Sequence, residues 1–400
     1  MTLPQGWKSI ALDTVLEKVT LPVNVERLRE YREIGIRSHG KGIFHKPPAI
    51  GETLGDKRVF WVVPDALILN IVFAWEQAVA VTSAREDGMI ASHRFPMYRP
   101  HDGKCDVNFL LQYFKTRRGK EFLELASPGG AGRNKTLGQR EFERLQVVMP
   151  DTKEQSKIAK TISTWDSAID TQRQLMRNSK ERKAGLISIL LESRTLLHSH
   201  RSSWTDVEFG DIAVLSKERF DPKTSAHQQW CIELEHIDQG TGALVGHART
   251  TPASSTKGRF KSNDVLFGKL RPYLGKYWLA DREGVCSTEI WILRARQKKC
   301  LPEFLSCLVQ TETFMRAANA SSGSKMPRAD WDVIESTAFQ IPPIDEQARL
   351  ANVIRTLDLE ITCRTRFVEI LERERSALAL QLLTGKRRFR FDELTAATVL

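Results

Sequence analysis

The sequence predicts an α+β protein written twice: two α/β domains, each followed by a long helix, with the two helices paired as an antiparallel coiled coil. Three observations predict it. A 4-3 apolar spacing runs through some 35 residues at two places, the second copy lies 192 positions after the first, and a matched order of short strand-like segments precedes each. A chain of 400 residues also exceeds what one hydrophobic core usually spans.

In the first helix the stripe is Ile158, Ile162, Trp165, Ile169, Gln172, Met176, Ser179, Lys183, Leu186 and Leu190. In the second it is Leu350, Ile354, Leu357, Ile361, Arg364, Val368, Leu371, Arg375, Leu378 and Leu382. Both seams carry polar breaks at matched places, Gln172 with Arg364 and Lys183 with Arg375. Each helix is introduced by Pro-x3-Glu-Gln, from Pro150 to Gln155 and from Pro342 to Gln347. A proline followed by an acidic first turn is a helix start. At 1.5 Å per residue each helix is roughly 50 Å long, and a stripe so narrow needs a partner helix. The partner is its own repeat, and such a pair would hold the globular domains apart as a spacer.

Ahead of the helices, Arg32–Ser38 lines up with Cys231–Ile237, Asp65–Asn70 with Asn263–Gly268, and Ile90–Phe95 with Cys286–Trp291. These read as strands, rich in β-branched and aromatic residues and bounded by turn formers. A helix follows in each copy, around 108–125 and 302–318, then a Gly/Ser/Ala connector, 127–132 and 320–324.

Composition narrows the function. With 41% hydrophobic and 27% charged residues the chain is globular, not disordered. The longest nearly unbroken apolar run, Ala66 to Trp75, contains Asn70 and is about half a bilayer span, and the first residues lack a signal-peptide core. Six scattered cysteines without a CxxC pair fit reduced thiols. A cytoplasmic protein with no membrane partner is expected. No catalytic constellation is found: Gly129–Lys135 lacks P-loop spacing, and no HExxH or metal-type cluster occurs. No catalytic residue, metal or cofactor is therefore assigned to this chain.

Charge is more informative. The formal net charge is +11, and 257–299 holds 11 basic against 4 acidic residues. Within it, Lys269, Arg271 and Lys276 interleave with Tyr273, Tyr277 and Trp278 among turn-forming Gly and Pro. Lysine and arginine neutralise phosphates, and arginine also reads guanine. The candidate DNA-binding residues are Lys257, Arg259, Lys269, Arg271, Tyr273 and Lys276, with Arg37, Ser38, His39 and Lys41 in the first copy.

Taken in order, these elements resemble the specificity subunit of Type I restriction-modification systems. The resemblance is carried by the opening LPQGW (3–7), the paired Pro-x3-Glu-Gln starts, 264–278 followed by STEIW (287–291), and the closing LLTGKRRFR (382–390). It implies target-recognition domains at 1–150 and 198–342, conserved helical spacers at 151–197 and 343–386, and a tail at 387–400. It also implies a non-catalytic reader of a bipartite, asymmetric target in double-stranded DNA, the two halves being read differently. Two modification (methyltransferase) subunits would bring S-adenosylmethionine, and two restriction (motor-nuclease) subunits would bring ATP and Mg2+. Two alternatives are a specificity partner of a fused methyltransferase-nuclease and a helical scaffold that recruits proteins without DNA.

Overall fold

The computed structural model describes residues 3–55, 57–129, 135–192, 203–224, 228–251, 254–320 and 326–389. Half of the first Gly/Ser/Ala connector, most of the second, and the tail beyond 389 lie outside the described residues. The chain divides into two compact units, Met1–Ile169 with Ile370–Leu400, and Asp170–Glu369.

Unit 1 is built on a four-stranded antiparallel sheet ordered Leu16–Val19, Met97–Pro100, Leu67–Leu69, Val79–Val81. Its strand Leu67–Leu69 is completely buried, and the period of two sorts it onto two cores. Leu67 and Leu69 pack with Phe109, Phe114 and Ile158, whereas Ile68 packs with Ile34, Ile36 and Met97. Residues Lys8–Ala11 pair antiparallel with Gln146–Met149, the strand that leads into the first long helix.

Unit 2 repeats this plan. Its sheet runs Ala213–Leu215, Ile290–Ala295, Val265–Gly268, Tyr277–Leu279. Val265 and Phe267 face Phe304, Phe314 and Ile354, while Leu266 faces Phe260, Trp278 and Ile292. Thr205–Glu208 pairs with Ala338–Ile341 ahead of the second long helix. The duplication read from side-chain spacing is thus a duplication of sheet order.

Three local expectations are corrected. The helix expected at 108–125 is two, Val107–Phe114 and Arg117–Leu125, and that at 302–318 is Pro302–Leu308 and Glu312–Ala318. The break falls where Thr116 accepts from Gly119 N and Thr311 from Phe314 N, each capping a new helix. Of the segment 231–237 only Cys231 and Ile232 are strand, the end of Trp230–Ile232, because Glu233 and His236 cap a 3-10 turn at Leu234–His236.

The long helices span Thr152–Ile187 and Ile344–Leu383, the first closing in a π turn at Ser188–Glu192. In unit 1, Ile158 and Ile162 share a core with Leu378, Leu382 and Leu383, and Arg375 pairs with Asp166. In unit 2, Ile187 and Leu191 share a core with Ala351 and Ile354, Met176 meets Thr365, and Lys183 pairs with Asp358. Within each unit the start of one helix therefore lies against the end of the other, which is antiparallel pairing. Ile169, Leu357 and Ile361 are buried in the seam as expected, and Trp165 and Leu350 are half-buried.

The seam departs from the expected one near its end. Ile187 and Leu191 are buried, whereas Leu186 and Leu190 are only half-buried. Beyond Lys183 the buried positions step by four, where the helix widens into the π turn at Ser188–Glu192 and packs on its globular domain. Glu192 there accepts from Thr313 N at 2.8 Å.

Candidate nucleic-acid interface

The basic segment of unit 2 is a tight turn between two sheet strands. Phe267 faces Tyr277 across the ladder, and Gly268 N donates to Lys276 O at 2.8 Å. Between them Pro272–Leu274 forms a 3-10 turn, with Arg271 in the left-handed region at φ 53°. That conformation is costly for a side-chain-bearing residue and is held from outside. Arg271 N donates to Pro327 O at 2.8 Å, and Ala329 N to Lys269 O at 2.9 Å. A loop at 238–242 docks on the turn through Gly240 N to Gly275 O at 3.1 Å.

Unit 1 holds the same construction with its chemistry exchanged. Ala74–Glu76 is the matching 3-10 turn, closed by Gln77 at φ 60° where unit 2 has Gly275 at φ 55°. Leu137 N donates to Ile71 O at 2.8 Å, as Ala329 does to Lys269. The docking loop is 37–42, whose Gly40 N donates to Gln77 O at 2.9 Å and whose Ser38 Oγ donates to Glu76 at 2.9 Å. Gly40 and Gly240 both take positive φ, 63° and 70°, which lets the loop backbone come this close.

The cations sit on opposite members of this pair. In unit 1 Arg37, His39 and Lys41 are exposed on the docking loop, while the turn carries Phe73 and Trp75. In unit 2 the turn carries exposed Arg271 and Tyr273, and the docking loop is Asp238-Gln239-Gly240-Thr241-Gly242. The two basic segments found separately in the sequence are thus the two halves of one construction.

Two candidates in unit 2, Lys257 and Lys276, are engaged elsewhere. Lys257 is a correction: it is buried, with its ammonium 2.7 Å from Glu233, and is not placed to meet a phosphate. Lys276 Nζ donates to Leu234 O at 2.7 Å, and Lys269 is half-buried. Arg259 is exposed, but on the strand Lys257–Phe260 of a separate five-stranded sheet. Among the described residues no group of three His, Cys, Asp or Glu could hold a metal ion, and no helix is long and apolar enough to cross a membrane.

The docking loop of unit 1 is anchored by His45, whose Nε2 lies 2.8 Å from Glu86 Oε1. Glu86 also accepts from Ser83 N and Oγ, each at 2.8 Å. Burial pulls this carboxyl upward, but the hydrogen bonds from His45 and Ser83 outweigh it and hold Glu86 below the ordinary carboxylate value. A depressed carboxyl stabilises the fold above its unfolded pKa, and that contribution is lost as the pH falls through the folded one. Urea midpoints of the chain should therefore decline between about pH 5 and pH 3, and less steeply in His45→Phe. An acid limb of equal slope in the variant would exclude this role for the pair.

Residues 68–177 and 202–370 match the family described as the Type I restriction modification DNA specificity domain. The chain belongs to this family. The HindI specificity subunit of Haemophilus influenzae is 26% identical over 44% of this chain and 40% of its own length. The EcoDI specificity subunit of Escherichia coli is 26% identical over 40% and 36%. The chain thus aligns with well under half of either relative. The putative MjaX specificity subunit of Methanocaldococcus jannaschii is 20% identical over 78% of this chain and 75% of its own. Among solved structures, the S subunit from M. genitalium covers 95% of this chain and 99% of its own at 14% identity, TM-score 0.60. A chain solved for complex assembly and conformational transition of the type I R-M system covers 97% and 100% at 15% identity, TM-score 0.56. These two share the fold of two α/β domains and paired long helices.

Proposed function

We propose that this specificity-domain protein is a non-catalytic reader of double-stranded DNA with a bipartite, asymmetric target, each unit reading one half. The observation that carries the proposal is the exchanged chemistry of the turn and its docking loop. One backbone construction, present twice, offers a basic loop over an aromatic turn ending in Glu76 in unit 1 and a basic, tyrosine-bearing turn under an uncharged-to-acidic loop in unit 2. Identical halves would suit a symmetric target; unlike halves suit an asymmetric one. Phosphate contacts give affinity and base contacts give sequence.

The names of its relatives support placement in a Type I restriction-modification enzyme. In that assembly two modification subunits supply S-adenosylmethionine and two restriction subunits supply ATP and Mg2+. This chain contributes the DNA address, in the cytoplasm. A specificity partner of a fused methyltransferase-nuclease would use the same surfaces.

The test is expression of the full chain with a modification subunit and single-molecule profiling of methylated DNA. The expected motif has two unlike halves around an unread gap. Arg271→Ala should relax one half by about 1–3 kcal/mol if it reads a base, or flatten the salt dependence by about one unit if it binds phosphate. The triple Arg37→Ala, His39→Ala, Lys41→Ala should act on the other half. A continuous or symmetric motif, or one half altered by both variants, would overturn the reading.

A further inference from the structure

Lys183 is only 5% exposed, a buried cation at a seam position of the first long helix. Its Nζ pairs with Asp358 on the opposite helix and donates to Tyr277 Oη at 2.8 Å. Tyr277 Oη in turn lies 3.4 Å from both oxygens of Asp358. Tyr277 is 3% exposed and begins the strand that leaves the 269–276 turn. Burial pushes the Asp358 carboxyl up against the opposing pull of Lys183, and burial also holds the Tyr277 hydroxyl protonated.

Unit 1 contains the same device with the helices' roles exchanged. A shift of 192 positions carries Lys183 to Arg375 and Asp166 to Asp358. Arg375 reaches Asp166 at 2.9 and 3.1 Å and Gln112 Oε1 at 2.7 Å. Gln112 is 7% exposed and comes from the globular domain, as Tyr277 does. The polar breaks in the two seams are therefore one arrangement used twice: a cation from one helix, a carboxylate from the other, and a third side chain from the domain.

Apolar residues of similar volume would stabilise such a seam as well or better, because desolvating an ion pair is expensive. A buried polar pair instead penalises every other register, since sliding one helix leaves an ammonium and a carboxylate facing apolar neighbours. We propose that the Lys183–Asp358–Tyr277 and Arg375–Asp166–Gln112 triads are positioning devices that fix helix register and tie it to the recognition domain of the same unit. In unit 2, Tyr277 then sets the pose of the 269–276 turn. Only the consequence for sequence reading rests on the proposed DNA function; the register lock does not.

The full chain is tested with spin labels on Cys363, the exposed cysteine, and on Asn178→Cys, also exposed. The wild-type background should give one narrow distance. In an Arg375→Met/Asp166→Leu/Gln112→Leu background, where the other triad cannot hold the register, the triple variant Lys183→Met/Asp358→Leu/Tyr277→Phe removes this triad without stranding a charge and should give additional distances displaced by about 5 Å, one helical turn. Exchanging the charges, Lys183→Asp/Asp358→Lys, should restore the single distance. A narrow, unshifted distribution in the triple variant overturns the lock.

Should the triple variant not fold, Tyr277→Phe alone removes only the hydroxyl. Hydrogen exchange at 269–276 should then accelerate at least threefold with 174–183 unchanged, and equal exchange overturns the tie to the domain. With a modification subunit, Tyr277→Phe should relax one half-site and spare the other. If the chain reads no DNA at all, the functional proposal fails while the distance measurement still decides the lock.

Discussion

Asp264→Ala is expected to cost unit 2 about 3–5 kcal/mol, the usual consequence of removing one partner of a buried ion pair. Asp264 is 2% exposed at the start of the central strand. Its two oxygens accept from Arg294 Nε and Nη2, both at 2.7 Å, and one also accepts from Lys261 N at 2.9 Å. The hydrogen bonds to Asp264 hold the guanidinium firmly charged, so alanine leaves a half-buried cation with only Glu218 at 2.7 Å. For a domain of this size the loss corresponds to a fall in melting temperature of roughly 10 °C. Asp264→Ala/Arg294→Leu should recover part of it, because the orphaned charge is gone. If the double variant is as unstable as the sum of its singles, the damage comes from lost packing and not from the stranded arginine.

Periodicity made the architecture legible. The 4-3 stripes with their prolines located both long helices, and the fully apolar segments at 67–69 and 265–268 marked strands buried on both faces. Features set by distant partners were not legible. Lys257 is spent on Glu233, 24 residues away, and its burial left no trace in the local charge count. The break at Thr116 needed a cap whose helix-forming neighbours look continuous in sequence. The same limit hid the interface. Residues 71–78 look mostly apolar and 269–276 look basic, so nothing in their composition aligns the 3-10 turn they share. Glycine at 40 and 240, with backbone donors onto Gln77 and Gly275, is the signal that would have aligned them.

The Gln of each Pro-x3-Glu-Gln motif should be nearly irreplaceable. Gln347 is 1% exposed; its Oε1 accepts from Leu301 N at 2.9 Å, and its Nε2 donates to Lys299 O at 3.0 Å and Pro342 O at 2.9 Å. It thereby fastens the first turn of the second long helix to the approach of Pro302–Leu308 and to the end of strand Ala338–Ile341. Gln155 does the same in unit 1 with one bond fewer, accepting from Asp106 N and donating to Pro150 O, each at 2.9 Å. Leucine fills the volume but leaves these backbone groups unpaired, at about 1–3 kcal/mol for each group that water cannot reach. Gln347→Leu should therefore cost about 3–5 kcal/mol, and Gln155→Leu less. Glutamate should be worse than leucine at neutral pH, since it buries a negative charge against the carbonyl oxygens of Lys299 and Pro342. Acidification should narrow that gap, because the neutral acid regains a proton to donate. Chemical denaturation of the variants, with hydrogen exchange followed at 299–308 and 106–114, separates the two units. Equal losses for Gln155→Leu and Gln347→Leu, with no added exchange at either segment, would mean that the motif marks the helix start without fastening it.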